Sequence, residues 1–282
     1  MGKVAVVTDS TCDLPLDLAD ELDLRIVPMS VAFGDDTFIS KVTIDTDAFY
    51  ERMRTATRPP TTSQPSPAWF EEAYADAADD GADSVVSVHV SAELSGTCGV
   101  AEKVAAGAPL PVTVVDSRTT SGALALAVLA ALRAAESGAD RGAVAATAER
   151  VASSSSMFFV VDDLQYLRRG GRLTGTQKLI GTALKVKPIL TIRDGQVTAL
   201  TKVRTWSRAV EHLYELVIAA AGDRAVDLVV TDAVAEEQAS ELARRIEGSL
   251  DVRHRNSTDI GPVLGSHTGP GALGVAVAPA DG

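Results

Sequence analysis

The segment Val-Ala-Val-Val-Thr-Asp-Ser-Thr, residues 4–11, indicates how this chain folds. Its four apolar residues form a continuous run, mostly β-branched, of the kind that is buried on both faces of a parallel sheet. The polar residues end this run, and Leu18 and Leu22 then follow Pro15 with helical spacing. The segment therefore predicts a buried strand, a polar turn and a helix.

The same unit recurs twice along the first half of the chain. Apolar runs at residues 84–88 and 112–115 are each followed by a hydroxyl-rich turn, at residues 91–97 and 116–121, and then by a helical pattern. Alternating strands and helices predict an α/β fold, with a mostly parallel open sheet that carries helices on both faces. Ligands of such sheets bind beyond the carboxyl ends of the strands, so the hydroxyl-rich turns are expected to form a weakly charged anion pocket at one edge.

Between the first two units the sequence predicts three further elements. An apolar run at residues 26–31 indicates a strand, and the proline-bordered residues 61–63 indicate a stiff loop. Ser66 and Pro67 are typical of a helix start, which predicts a helix over residues 68–78.

The pattern changes after the serine run at residues 153–156. Apolar runs on either side of Asp194 and Gly195 predict a hairpin. The sequence also predicts helices at 206–221 and 236–246, a strand at 227–231 and a glycine-rich loop at 264–272 that returns into a strand. We therefore expect a Rossmann-like α/β domain at 1–155 and a mixed α+β domain at 156–282.

Residues 158–173 combine a strand-like apolar run, an Asp pair, a short helical pattern and three arginines interrupted by two glycines. Arginines beside flexible backbone suit a carboxylate, a phosphate or an acidic partner surface. They also suit an ordinary helix end, where cations offset the helix dipole and glycine caps the last turn. Spacing alone leaves both interpretations open.

Composition narrows the class of protein. A net charge of −12 and a pI near 4.8 argue against a general nucleic-acid binder and against an anionic membrane as the main target. The two cysteines, Cys12 and Cys98, and the four scattered histidines form neither a disulfide framework nor a metal-ligand pattern. No secretory signal is recognisable, and the longest apolar run, 123–132, is too short to cross a bilayer. We expect a cytoplasmic protein, with a monomer as the default state.

Two functions remain open from the residues alone. Ser95 and His267 could meet as the nucleophile and base of an acyl hydrolase, although Glu93 stands where a G-x-S-x-G elbow requires glycine. The hydroxyl-rich turns could instead bind a small molecule in a regulatory protein.

Six motifs in order resemble the DegV family, the fatty-acid-binding proteins that act as lipid carriers for bacterial fatty-acid kinases. They span nearly the whole chain. The motifs are Thr-Asp-Ser at 8–10, Thr-Ser-Gln-Pro at 62–65, Leu-Ser-Gly-Thr at 94–97, Asp-Ser at 116–117, Leu-Arg-Arg-Gly-Gly-Arg at 167–172 and Gly-Ser-His-Thr-Gly-Pro-Gly-Ala at 265–272.

The resemblance implies a fatty acid, such as palmitate or oleate, in a tunnel between the two domains. It implies no catalytic residue, metal or cofactor. The residues expected around the carboxylate are Thr62, Ser63, Ser95, Gly96, His267 and Arg204.

The resemblance also implies a partner. A separate ATP-dependent kinase would phosphorylate the bound carboxylate to an acyl phosphate for phospholipid synthesis, and would dock at Arg168, Arg169 and Arg172. Transient contact with an acyltransferase or a membrane is compatible with this role, and no nucleic-acid partner is expected.

Overall fold

The computed structural model describes residues 2–173 and 186–280, which form an α/β fold built on three sheets. The strands are β1 Val4–Asp9, β2 Arg25–Val27, β3 Ser30–Phe33, β4 Asp36–Ile39, β5 Thr61–Ser63, β6 Ser84–His89, β7 Val112–Asp116, β8 Ser156–Val160, β9 Lys187–Arg193, β10 Gln196–Val203, β11 Val226–Asp232, β12 Val252–Asp259 and β13 Leu273–Pro279. The helices are α1 Leu16–Glu21, α2 Thr46–Thr55, α3 Pro67–Asp79, α4 Thr97–Ala105, α5 Ser121–Glu136, α6 Arg141–Ser154, α7 Gln165–Arg169, α8 Trp206–Ala221, α9 Glu236–Glu247 and α10 Pro262–Thr268.

The first sheet is wholly parallel, with the strand order β2-β1-β6-β7. Every residue of β1 is buried, as its continuous apolar run predicts. Because all four strands run the same way, the turns after β1, β6 and β7 meet at one edge of the sheet. These are the three hydroxyl-rich turns identified in the sequence.

The second sheet is mixed and has six strands in the order β10-β9-β8-β13-β11-β12. The predicted hairpin is present: β9 and β10 pair antiparallel across Asp194 and Gly195, both of which have positive φ. The structure has a parallel four-stranded sheet and a separate mixed sheet, which confirms the predicted fold class. Strand β12, which the sequence analysis missed, has only one apolar residue and lies at the sheet edge.

The strand predicted at residues 26–31 is in fact two strands in different sheets. Strand β2 pairs with β1 in the parallel sheet, whereas β3 pairs with β4 and β5 in a three-stranded antiparallel sheet. Pro28 lies between them, and a residue without an N–H cannot continue a strand ladder through a sheet.

Residues 61–63, predicted as a loop, form strand β5. Thr62 pairs with Val31 of β3. The edge of β3 opposite β4 supplies the hydrogen-bond partners for this backbone, so pairing with β3 rather than a local pattern makes it a strand.

The loop predicted at 264–272 is helical over its first part, because α10 runs from Pro262 to Thr268. Pro262 suits the first helical position, and Gly269, with φ of 74°, ends the helix. Gly265 lets the helix approach α2 closely, since a Cβ there would lie 2.6 Å from the Tyr50 hydroxyl oxygen.

Helix α5 lies between the two larger sheets and contacts β1 and β6 on one side and β11 and β13 on the other. Its residues 121–132 are buried on every face, which is typical of a helix enclosed in a core. One hydrophobic cluster therefore includes side chains from both halves of the chain. The domain boundary near residue 155, between α6 and β8, remains a prediction.

Among the described residues, no helix combines the length and the apolar character that crossing a bilayer requires.

Candidate ligand-binding site

A cavity of about 830 Å³, counted to its open mouth, lies between the hydroxyl-rich edge of the parallel sheet and the mixed sheet. Most of its wall is apolar, and both halves of the chain contribute to it. Representative apolar side chains are Met29, Val90, Met157, Phe159, Ile192 and Val197.

The mouth of the cavity carries a polar cluster, which we define as Thr62, Gln64, Ser95, Arg172 and His267. Gln64 is exposed, and the other four residues are half-buried. They come from β5 and the segment after it, the turn before α4, the segment after α7, and α10. The sequence separation is therefore large, and only the fold brings them together.

Thr62 and His267 are in direct contact at this mouth. The distance from Thr62 Oγ1 to His267 Nε2 is 2.8 Å. Burial, reinforced by the positive charge of Arg172, lowers the pKa of His267 to about 4. The imidazole is therefore uncharged at neutral pH.

The other nitrogen of His267 faces the glycine pair that follows α7. His267 Nδ1 is buried and has no hydrogen-bond partner among the described residues. A Cβ on Gly170 would lie 2.1 Å from this nitrogen, so only glycine fits between α7 and the ring. This contact is a structural reason for the first glycine of the Arg-Gly-Gly-Arg segment.

Ser95 is held by the turn between β6 and α4. Its Oγ lies 2.8 Å from Thr97 Oγ1. The start of the turn is tied to the hairpin, since Ser91 Oγ donates to the Gly195 carbonyl at 2.8 Å. A Cβ on Gly96 would lie 2.0 Å from Gln64 Oε1, so the glycine of the Leu-Ser-Gly-Thr motif leaves space for the Gln64 side chain.

The three arginines of residues 168–172 lie in two different environments. Arg172 lines the cavity, and its Nε donates to the Leu94 carbonyl at 3.1 Å while another guanidinium nitrogen donates to the Gly170 carbonyl. Arg168 and Arg169 are exposed on α7. Arg169 contacts Gln165 Oε1 at 3.2 Å. The segment thus contributes one arginine to the mouth and presents two to solvent.

The predicted carboxylate-binding residues divide into two groups. Thr62, Ser95 and His267 line the cavity, whereas Ser63, Gly96 and Arg204 are exposed and are not among its lining residues. Ser63 follows Thr62 in a strand, so the two side chains point to opposite faces.

Sequence reasoning did not assign Gln64 or Arg172 to the ligand site. Gln64 belongs to the Thr-Ser-Gln-Pro motif and Arg172 to the Leu-Arg-Arg-Gly-Gly-Arg motif, so the sequence offered both as candidates. Only the folded geometry, which brings Arg172 back to the Leu94 carbonyl, separates it from Arg168 and Arg169.

The hydrolase alternative lacks its central contact. His267 Nε2 contacts Thr62 rather than Ser95, whose hydroxyl contacts Thr97 instead. No carboxylate contacts His267 Nδ1 within the described part of the chain. The arrangement therefore lacks the base–nucleophile contact and the orienting third group of a catalytic triad.

A separate Asp–His–Ser chain lies inside the protein, and none of its three residues lines the cavity. Asp9 Oδ2 contacts His89 Nδ1 at 3.0 Å, and His89 Nε2 contacts Ser87 Oγ at 2.6 Å. All three side chains are completely buried. Burial would raise the pKa of Asp9, but the hydrogen bond to His89 and its charge outweigh that effect and lower it. With no access for a substrate, this network stabilises the strand ends of the parallel sheet.

This chain is similar to known proteins over nearly its whole length. A family profile described as "uncharacterised protein, DegV family" matches residues 3–280. A DegV domain-containing protein of Streptomyces coelicolor is 42% identical over 275 residues, covering 97% of this chain and 98% of that protein.

Solved structures of DegV proteins have the same fold. A fatty-acid-binding DegV family protein of Thermus thermophilus superposes with a TM-score of 0.92 at 35% identity, covering 98% of this chain and 99% of that one. DegV of Bacillus subtilis, a fatty-acid-binding protein, gives a TM-score of 0.91 at 30% identity, covering 99% of this chain and 100% of that one. From the profile match, the Streptomyces relative and these structures together, this chain belongs to the DegV family.

Proposed function

We propose that this protein binds a long-chain fatty acid, with the acyl chain in the apolar cavity and the carboxylate at the polar cluster of its mouth. The observation that carries the proposal is the division of the cavity wall, which is mostly apolar inside and has Thr62, Ser95 and His267 at its open end. The fatty acids bound by the Thermus and Bacillus relatives support the same ligand class.

The acyl chain accounts for most of the affinity in this proposal. Burial contributes about 0.8 kcal/mol per methylene, so a chain of roughly sixteen carbons contributes on the order of 10 kcal/mol before the costs of association. The head group therefore needs to be oriented rather than held tightly.

Neutral donors suit a carboxylate that must react further. When His267 carries its proton on Nε2, it donates to Thr62 Oγ1, which leaves the Thr62 proton free for the ligand. Ser95 supplies a second hydroxyl. The guanidinium of Arg172 already donates to two backbone carbonyls. A carboxylate that is bound by hydroxyls keeps more of its nucleophilic character than one paired with a bidentate arginine.

The reaction partner in this proposal is a separate ATP-dependent kinase. The protein itself would be a non-catalytic carrier, and the kinase would form an acyl phosphate for phospholipid synthesis. Arg168 and Arg169 are exposed and directly precede Gly170, which lies against His267, so a partner docked on α7 would be close to the mouth. An acyltransferase or a membrane surface could then receive the product.

Variants at the cavity mouth and on α7 test whether fatty-acid binding and kinase docking depend on different residues. In titrations with palmitate or oleate, we expect Thr62→Val combined with Ser95→Ala to weaken binding about tenfold or more, because two hydrogen bonds to a charged group are lost. Arg169→Ala should leave binding unchanged and lower phosphorylation by the kinase. Equal loss of fatty-acid binding in Arg169→Ala would contradict the proposed roles.

A further inference from the structure

One hydroxyl deep in the cavity has no hydrogen-bond partner. Thr231, near the end of β11, is completely buried, and its side chain lines the cavity. Within residues 2–173 and 186–280, nothing accepts from or donates to its Oγ1. Burying a hydroxyl without a partner is unfavourable, so such a group calls for a ligand that can satisfy it.

Gly274 keeps the space beside this hydroxyl open. It pairs with Thr231 on one side and with Phe159 on the other, which places all three on the same face of the sheet. A Cβ at Gly274 would lie 2.7 Å from Thr231 Oγ1 and 2.9 Å from Met157 Cε. Any larger residue would therefore close the notch, whose walls all belong to the cavity lining.

A second unpartnered hydroxyl lines the cavity at the start of α5. Thr120 precedes this sixteen-residue helix, yet its side chain makes no capping hydrogen bond, and its Oγ1 is buried without a partner in the described chain. Gly122 lets this end of the helix pack closely against the mixed sheet, since a Cβ there would lie 3.0 Å from Val229 Cγ1. Val229 is two residues before Thr231 in β11, so it lies on the same sheet face.

These two threonines differ from the other hydroxyls deep in the cavity wall. The hydroxyl of Thr11 donates to Asp9, and that of Ser121 donates to Asp13. Thr268, nearer the mouth, donates to the Leu264 carbonyl at 3.0 Å. Only at Thr120 and Thr231, among the lining residues described, is a buried hydroxyl left for a ligand.

We propose that Thr120 and Thr231 form a second polar subsite, which binds a hydroxyl group carried part-way along the acyl chain of a hydroxylated fatty acid. The inference rests on the proposed fatty-acid-binding function and specifies its substrate class. Each threonine can donate and accept, as can the ligand hydroxyl, so the hydrogen-bonding capacities of the three groups are compatible. The subsite carries no charged partner, and a charged substituent there would be strongly disfavoured.

A positional series of hydroxylated ligands tests the subsite. The dissociation constants of stearate and of hydroxystearates that differ only in hydroxyl position would be measured with the delipidated protein by isothermal titration calorimetry. We expect one internal position to bind about tenfold more tightly than stearate, as a gained hydrogen bond predicts. Hydroxyls at other positions should weaken binding, because they are buried against apolar wall.

Three variants show whether that preference depends on Thr231. Thr231→Val, which keeps the side-chain shape, should abolish it, whereas Thr231→Ser should retain it. Thr268→Val is the matched control, since its hydroxyl already bonds to a backbone carbonyl, and it should also retain the preference.

The outcomes separate the subsite from the function on which it rests. If stearate binds and no hydroxystearate binds more tightly, or if the preference persists in Thr231→Val, the subsite is overturned while the proposed function stands. If neither stearate nor any hydroxystearate binds, the proposed function fails, and the subsite with it.

Discussion

His267, at the mouth of the cavity, has surroundings that differ strongly from those of an exposed histidine. In an unfolded chain its pKa would be near 6.5. Burial and Arg172 lower the pKa in the folded protein to about 4. Between these values the unfolded state binds one more proton, so acidification favours unfolding. The contribution of His267 to stability is present above about pH 6.5 and is lost as the pH falls towards 4.

This linkage predicts a difference between two histidine variants. Between pH 7 and pH 4.5 the wild-type free energy of unfolding should fall more than that of His267→Gln, by about 2–3 kcal/mol. His212→Gln, at a partly exposed position on α8, serves as the control for removing a histidine outside the cavity. Denaturant titrations at several pH values measure the effect. Parallel pH profiles for wild type and His267→Gln would show that His267 is not held neutral by burial.

Residue types near the mouth could be predicted from sequence, but their contacts could not. Thr62, Ser95 and His267 were identified before the fold was known, and all three line the cavity. Arg172 lines the cavity, whereas Arg204 is exposed. Both positions depend on how β10 and the segment after α7 are arranged in three dimensions. No local pattern encodes that arrangement.

At the scale of elements, the close contact between the end of α7 and α10 depends on Gly170. Gly170→Ala should weaken fatty-acid binding, because the added Cβ collides with the His267 ring. Gly171→Ala is a matched control: Gly171 has φ of 70° and open space around it, so alanine there costs about 1 kcal/mol of strain without touching the site. Thermal unfolding and palmitate titration separate the two effects. Binding in Gly170→Ala that equals that of Gly171→Ala would contradict the role of the contact.

Elements with a strong local signal were predicted well, and those that depend on partners were not. The buried run of β1 and the Asp194–Gly195 hairpin have patterns that specify them locally. Strand β5 forms because the edge of β3 is available to it, and α10 includes glycine and serine positions that favour a helix only when packed against α2. Both were predicted as loops for that reason.

At the scale of the whole molecule, α5 joins the two halves. It is buried between the parallel and mixed sheets, and its first residues contribute to the cavity wall. A ligand in the cavity would contact both halves at once, so binding should stabilise the entire fold by mass action. Sequence patterning predicted both sheets, but it could not reveal the shared core, which depends on non-local packing.

The central claim is that the cavity holds a long-chain fatty acid. Mass spectrometry of an organic extract from purified protein that has never been delipidated tests this most directly. We predict about one fatty acid per protein chain, with the extract also reporting the preferred length and unsaturation. An extract without fatty acid, together with no thermal shift on adding palmitate or oleate, would contradict the claim and favour a small-molecule ligand instead.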